Sequence, residues 1–189
     1  MPKIVHHEER KELIAAALAR VAAQAGVTAG MVQHYFPSKD SIMEFAMESS
    51  SVRFGDRMQV AISELGAEPD PQSLVRVILL SLLPDSESSL SDARVALTFL
   101  SYAATRPAAA RRLSESNNQL RGYLGQILRS AVDSGAMVGD INPDETATGL
   151  LALADGLGIH VLSSALDAAA AQAALDAQLN SVFGDSCQP

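Results

Sequence analysis

Polar side chains gather between Thr28 and Lys39, and their types suit contact with nucleic acid better than catalysis. A glutamine such as Gln33 can bond bidentately to the edge of an adenine, whereas a lysine beside the N–H groups of a helix start, such as Lys39, can bind phosphate. A solvated side chain is the alternative for both residues. His34 and Tyr35 either contact phosphate or pack against the first helix. The stretch therefore predicts a DNA contact surface.

A tight turn between two helices would position these side chains. Gly26 is expected to end one helix in the left-handed conformation, and Thr28 to cap the next by accepting a hydrogen bond from the N–H of Met31. Small and polar residues at its start would let this short helix enter the major groove. Its apolar anchors are Met31, Val32, Tyr35 and Phe36, of which Met31, Val32 and Phe36 are expected in the core. The predicted DNA contacts are Thr28, Ala29, Gly30, Gln33, His34, Tyr35 and Lys39.

The stretch AGVTAGMVQHYFPSK closely resembles the signature of the TetR family of one-component bacterial regulators. PKIVHHEERKELIAAAL is similar to the family's first helix, and LLALADGLGIHVLSSAL with ALDAQLNSVFG to the last two helices of its BetI-like subgroup. Where the family usually has an aromatic pair, this chain has Gln33 and His34, with the aromatic one position later at Tyr35. The resemblance implies a helix-turn-helix head, a helical body that dimerises through a four-helix bundle, and repression relieved by a small molecule.

The head is shorter than the resemblance requires. About a dozen further residues would be needed before the AGV turn to complete the three-helix head that such folds use. We therefore expect a mobile segment to be missing from the sequence between Ala19 and Ala23, at Arg20–Val21. The alternative is a single helix from Glu8 to Ala25 and a truncated head.

Charge is unevenly distributed along the 189 residues, which carry a net charge of −8. Residues 1–60 hold seven Lys/Arg and seven Asp/Glu, whereas residues 61–189 hold seven and fifteen. Phosphate should repel the acidic body, so the neutral head is the part expected to bind DNA. A hydrophobic content of 48% is sufficient for a core, and the abundance of Ala and Leu favours helices.

Other functional classes find little support in the sequence. Its one cysteine, Cys187, allows no internal disulfide, and no segment is apolar enough for a membrane span or a signal peptide, so we expect a cytoplasmic protein. We find no spacing typical of metal ligands, of a catalytic nucleophile or of a phosphate-binding glycine loop. We expect no enzyme, no cofactor and no bound metal.

The chain is predicted to be all-α, with a DNA-binding head at residues 1–46 and a helical body at residues 47–189. Ser38 should cap a long helix that runs to about Leu65, where the Glu68–Pro71 segment ends it. The further predicted helices are Gln72–Leu83, Ser91–Thr105, Pro107–Ser134, a helix that starts at Pro143 after an Asn142 cap and continues through the apolar stretch Thr146–Ser164, and Asp167–Phe183.

The body is expected to dimerise and to bind a ligand. Its last two helices are the predicted interface, represented by Leu150, Leu153, Leu157, Val161, Leu175, Leu179 and Val182. Large or polar-tipped residues are the candidate ligand contacts, with core packing as the alternative: Phe54, Met58, Phe99, Tyr102, Tyr123 and His160. Asp155 lies in an apolar helix, where its carboxylate loses hydration unless it is paired or faces solvent. Pairing with an arginine and contact with a cationic ligand are the two alternatives for a partner.

The sequence thus predicts a homodimer that binds a palindromic operator and senses an unidentified small molecule. The two recognition helices of such a dimer must lie about 34–36 Å apart to enter successive major grooves, and a ligand that favours another separation would release the DNA. The alternative is a helical dimer that senses ligand or binds a protein partner without DNA recognition.

Overall fold

A computed structural model describes residue 19, residues 22–137 and residues 141–184 of the chain. Within these ranges the ordered elements are all helical, and no strand occurs. The prediction of an all-α protein is confirmed. None of the described helices is both long and apolar enough to cross a membrane.

Residues 22–25 form the end of one helix, and seven complete helices follow within the described ranges. They are α1 (Ala29–Tyr35), α2 (Lys39–Ser63), α3 (Pro71–Leu80), α4 (Glu87–Ala103), α5 (Pro107–Asp133), α6 (Pro143–Leu162) and α7 (Ala168–Phe183).

Local capping explains where these helices begin. The N–H of Ser41 donates to Ser38 Oγ (3.0 Å) at the start of α2, and the N–H of Ala170 donates to the Asp167 carboxylate (2.7 Å) at the start of α7. Helix α4 begins four residues earlier than the Ser91 start that we predicted. The reason is a reciprocal capping box between Ser86 and Ser89, which satisfies the first backbone N–H groups of α4.

The chain divides into two compact units, Met1–Ala46 and Met47–Pro189. The core of the second unit is formed by apolar residues of α3, α5, α6 and α7, and its most deeply buried side chains include Ile78, Leu79, Leu124, Leu128, Leu175 and Leu179. An ion pair between Arg76 and Asp176 (2.6 Å) ties α3 to α7 at the edge of this core.

Most of the residues predicted to form the dimer interface lie inside this core, so their assignment to a surface is wrong, whereas Leu153 and Val161 are half-buried. Five are buried within their own chain, and Leu153 and Val161 pack against the same cluster. The five buried residues are Leu150, Leu157, Leu175, Leu179 and Val182. Periodicity identified an apolar face correctly, but the second unit itself covers that face.

Two predictions concern residues outside the described ranges. The helix expected to begin near Glu8 lies almost entirely there, and so does the junction at Arg20–Val21, where we expect a missing segment.

Candidate functional site

The turn before α1 has the geometry that the sequence predicted. Gly26 adopts a positive φ of 68°, and the N–H of Val27 donates to the carbonyl oxygen of Ala22 (2.9 Å) while that of Gly26 donates to Ala23 (3.3 Å). These two bonds form the left-handed ending typical of helices that stop at glycine. Thr28 Oγ1 then accepts the N–H of Met31 at 3.2 Å and so caps α1.

One face of α1 is anchored and the other is open. Val32 is buried, and the centroid of the Phe36 ring lies 5.1 Å from the centroid of the Phe45 ring on α2. Met31 and Tyr35 are not the anchors that we expected, since they are 47% and 70% exposed. They lie one position before the Val32 and Phe36 row, and this 100° rotation around the helix carries them outward.

The polar side chains predicted to contact DNA are exposed on α1 and at the start of α2. Gln33, His34 and Lys39 are exposed, and the His34 and Tyr35 rings meet edge to face with centroids 5.4 Å apart. Thr28 and Gly30 are also exposed and Ala29 is half-buried, so the start of α1 presents little bulk. A partner could therefore approach the first turn of α1 closely while it meets hydrogen-bond donors on either side.

The second unit contains an open cavity of about 380 Å³, within the range typical of small-molecule sites. Its walls come from α2, α4, α5, α6 and the segment after α3. Apolar side chains dominate, with a few polar groups among them. The polar and charged lining residues are Ser50, Ser51, Arg57, Ser81, Ser89, Asp92, Ser116, Asn117 and Asp155.

A buried carboxylate on α4 joins that helix to α2. Asp92 accepts hydrogen bonds from Arg53 Nε (2.9 Å) and Arg57 Nη1 (2.6 Å), and Ser50 Oγ donates to its backbone carbonyl (3.4 Å). Burial alone would raise the pKa of Asp92, but the hydrogen bonds and charges of the two arginines outweigh burial and hold this pKa below its usual value. The cluster fixes α2 against α4 at the cavity wall.

Asp155 of α6 also lines the cavity, but it has no such partner. No hydrogen bond or ion pair involves its carboxylate in the described part of the chain, although the group is exposed to the open cavity. Burial among its neighbours raises the pKa of the Asp155 carboxyl above the ordinary aspartate value. The arginine partner that we considered for it is absent from the described contacts.

Only Phe54 of the six predicted ligand contacts lines this cavity. Phe99 is buried with its ring 5.6 Å from that of Tyr102, and Met58 packs against the core. Tyr123 and His160 are exposed, and neither side chain lines the cavity. The size of a side chain was a poor guide, because leucines and serines form most of the lining.

Most of the polar residues of the lining were not predicted from the sequence. The serines and Asn117 carry no local signal, because only the packing of α2, α4 and α5 brings them together. Arg53 and Arg57, in contrast, carry a local signal in the sequence. Two arginines four positions apart share a helix face and can bind one carboxylate, which the buried Asp92 supplies.

Comparisons with known proteins show the family to which the chain is similar. Residues 71–184 match the family described as "BetI-type transcriptional repressor, C-terminal". The chain is 27% identical over 177 residues to the HTH-type transcriptional regulator PksA of Bacillus subtilis, which covers 86% of this chain and 83% of that protein. It is 29% identical over 145 residues to a BetI regulator of Chromohalobacter salexigens, with 77% of this chain and 68% of the relative covered.

Solved structures show the same fold. A transcriptional regulator from Rhodococcus sp. RHA1 is similar with a TM-score of 0.73 and 28% identity, over 87% of this chain and 83% of that one. A regulator from Saccharomonospora viridis, solved in complex with choline, is similar with a TM-score of 0.73 and 21% identity, over 85% and 82% of the two chains.

Proposed function

Because this chain belongs to the BetI-type transcriptional repressors of the TetR family, we propose that it binds its operator as a homodimer through α1 and the start of α2. We further propose that a small organic effector in the cavity of the second unit releases the DNA. The DNA-binding part of this function depends most on one observation. The glycine turn and the Thr28 cap hold α1 with Gln33, His34 and Tyr35 on its open face.

Among the exposed residues of α1 and the start of α2, we assign one to a base contact and the others to phosphate contacts. Gln33 follows the first turn of α1, where a helix that enters the major groove meets base edges. Lys39 is the first residue of α2, where its ammonium group and the helix N-terminus both favour a phosphate. His34 and Tyr35, at the end of α1, are suited to the sugar-phosphate backbone.

Lys39→Ala should weaken binding to all DNA sequences alike, because a phosphate contact carries no sequence information. The slope of log affinity against log salt should become shallower by about one. Fluorescence anisotropy titrations at several salt concentrations measure this slope. Arg121→Ala is a suitable control, since it removes an exposed cation from α5 in the second unit and should leave the slope unchanged. An unchanged slope in Lys39→Ala would remove Lys39 from the interface.

Gln33→Ala should instead relax preference at one base pair of each half-site, at a cost of about 1–3 kcal/mol for the correct base. Titrating a set of operators with single base-pair substitutions measures the effect. His34→Ala is the matched comparison on the same helix, and it should weaken all operators to a similar degree. If sequence preference in Gln33→Ala equals that of the wild type, Gln33 does not read a base.

The dimer interface is best placed on the outward faces of α6 and α7. Surface helices normally carry charged residues, but the exposed positions of α7 hold only alanines and uncharged polar residues. Ala173 and Ala177 lie opposite the buried Leu175 and Leu179 row, and Gly149 and Ala152 are exposed on α6. Small residues allow two helices to approach closely, so these faces can form a four-helix interface between two chains.

Helix α2 can carry the response from the cavity to the head. It begins in the first unit with Lys39, and in the second unit Ser50, Phe54 and Arg57 line the cavity at helical spacing. An effector that contacts these side chains in one position of α2 better than in another shifts the population toward that position. A different separation of the two heads would no longer match successive major grooves.

A further inference from the structure

The two carboxylates that line the cavity differ in whether a described residue neutralises them. Asp92 is neutralised by Arg53 and Arg57, and the remaining positive charge of that cluster is hydrated because the two arginine side chains are 50% and 34% exposed. Asp155 faces the same cavity with no hydrogen bond or ion pair in the described part of the chain. A cation in the cavity would therefore find one carboxylate that is not paired with any described residue.

The position of Asp155 makes it part of the binding surface. Asp155, Gly158, Ile159 and Leu162 follow the i, i+3, i+4, i+7 spacing of a single helix face, and all four line the cavity. Aspartate is a poor residue for a helix interior. The Asp155 side chain is exposed to the open cavity, where a bound ligand would remove part of its hydration. A cationic ligand would offset that loss, whereas its apolar part could lie along Ile159 and Leu162.

The cavity has few aromatic rings that could bind a quaternary ammonium group, a cation that has no N–H donors. Quaternary ammonium groups are recognised by the faces of several aromatic rings. Of the 21 residues in the described part of the chain that line this cavity, Phe54 alone is aromatic. The nearby Phe99 and Tyr102 rings pack against each other, and Arg106 lies over the Tyr102 ring at 4.1 Å, so neither ring joins the lining.

Hydrogen-bond acceptors are plentiful instead. The Asp155 carboxylate shares the cavity with the hydroxyl groups of Ser51 and Ser116 and with the side-chain amide of Asn117. A protonated amine presents two or three N–H donors that such groups can accept, whereas a quaternary ammonium presents none. A volume of about 380 Å³ corresponds to about a dozen water-sized groups.

We propose that the effector cavity takes a small protonated amine with N–H donors and an apolar tail, its ammonium group bound at Asp155, in preference to a quaternary ammonium compound. This proposal rests on the proposed effector function of the cavity and names its ligand class.

Three probes with the same tail test the proposal: hexylamine, hexyltrimethylammonium and hexanol, titrated calorimetrically into the full-length protein. We expect hexylamine to bind at least tenfold more tightly than hexyltrimethylammonium. Asp155→Asn should weaken hexylamine binding at least tenfold and leave hexanol binding unchanged. Glu145→Gln is the control, because it removes an exposed carboxylate from the first turn of the same helix, outside the cavity lining.

Equal or tighter binding of hexyltrimethylammonium would overturn the proposal, as would hexylamine binding that Asp155→Asn does not weaken, or no hexylamine binding at all. Operator binding measured on the same preparations tells whether only the proposed ligand class is wrong or the proposed repressor function is wrong as well. Protein that binds the operator but not hexylamine would remain a repressor with a different ligand class.

Discussion

Replacing Leu179 by glutamate is expected to abolish cooperative folding of the second unit. Leu179 is 1% exposed and belongs to the central cluster of α3, α5, α6 and α7. Removing a buried leucine side chain costs about 2–5 kcal/mol, and forcing a carboxyl group to be buried adds several more. A domain is typically stable by about 5–15 kcal/mol, so little stability would remain. Thermal unfolding followed by circular dichroism measures the loss.

Ala177→Glu is the matched variant for this experiment, because it introduces the same side chain two residues earlier on the exposed face of α7. It should retain a cooperative transition. If Leu179→Glu unfolds at the wild-type temperature, Leu179 is not in the core and the helix is oriented differently.

The same Ala177→Glu substitution should give monomers and a large loss of operator affinity. Two glutamates would be brought into an uncharged interface between two copies of α7, where like charges repel and lose hydration. Sedimentation measures the mass, and anisotropy titration measures the affinity. We expect a loss of about 100-fold or more, because the two half-sites would no longer be bound together.

Ala110→Glu provides the control for this effect, since Ala110 is an exposed alanine on α5, away from the proposed interface. It should remain dimeric and bind the operator normally. A stable dimer of Ala177→Glu with normal operator affinity would place the interface on another surface.

Local structure was predictable from the sequence to the extent that it depends on neighbouring residues. The positive φ of Gly26 and the Thr28 cap follow from the chemistry of those two residues and require no distant contact. Pro107 likewise marks the first residue of α5, and Asn142 with Pro143 marks the start of α6. The match of residues 71–184 to a known family confirms the resemblance that the turn sequence first indicated.

Tertiary packing was harder to predict, because helical periodicity identifies an apolar face but not what covers it. Leu157 and Leu175 were assigned to a dimer interface, and the second unit buries them in its own core instead. Aromatic size was equally misleading for the cavity, where Tyr123 and His160 point elsewhere and serines form much of the polar lining. Asp155 was noticeable from sequence because an acid in an apolar helix is unusual.

The most direct measurement is an anisotropy titration of the full-length protein with DNA from upstream of its own gene and with a scrambled duplex of the same composition, each at several salt concentrations. We expect two chains to bind a palindromic site in the upstream DNA about 10³-fold or more tightly than the scrambled duplex, with affinity that falls as salt rises. Equal affinity for both duplexes, or no binding at low salt, would contradict the assignment as a DNA-binding repressor and favour a helical ligand sensor without DNA recognition.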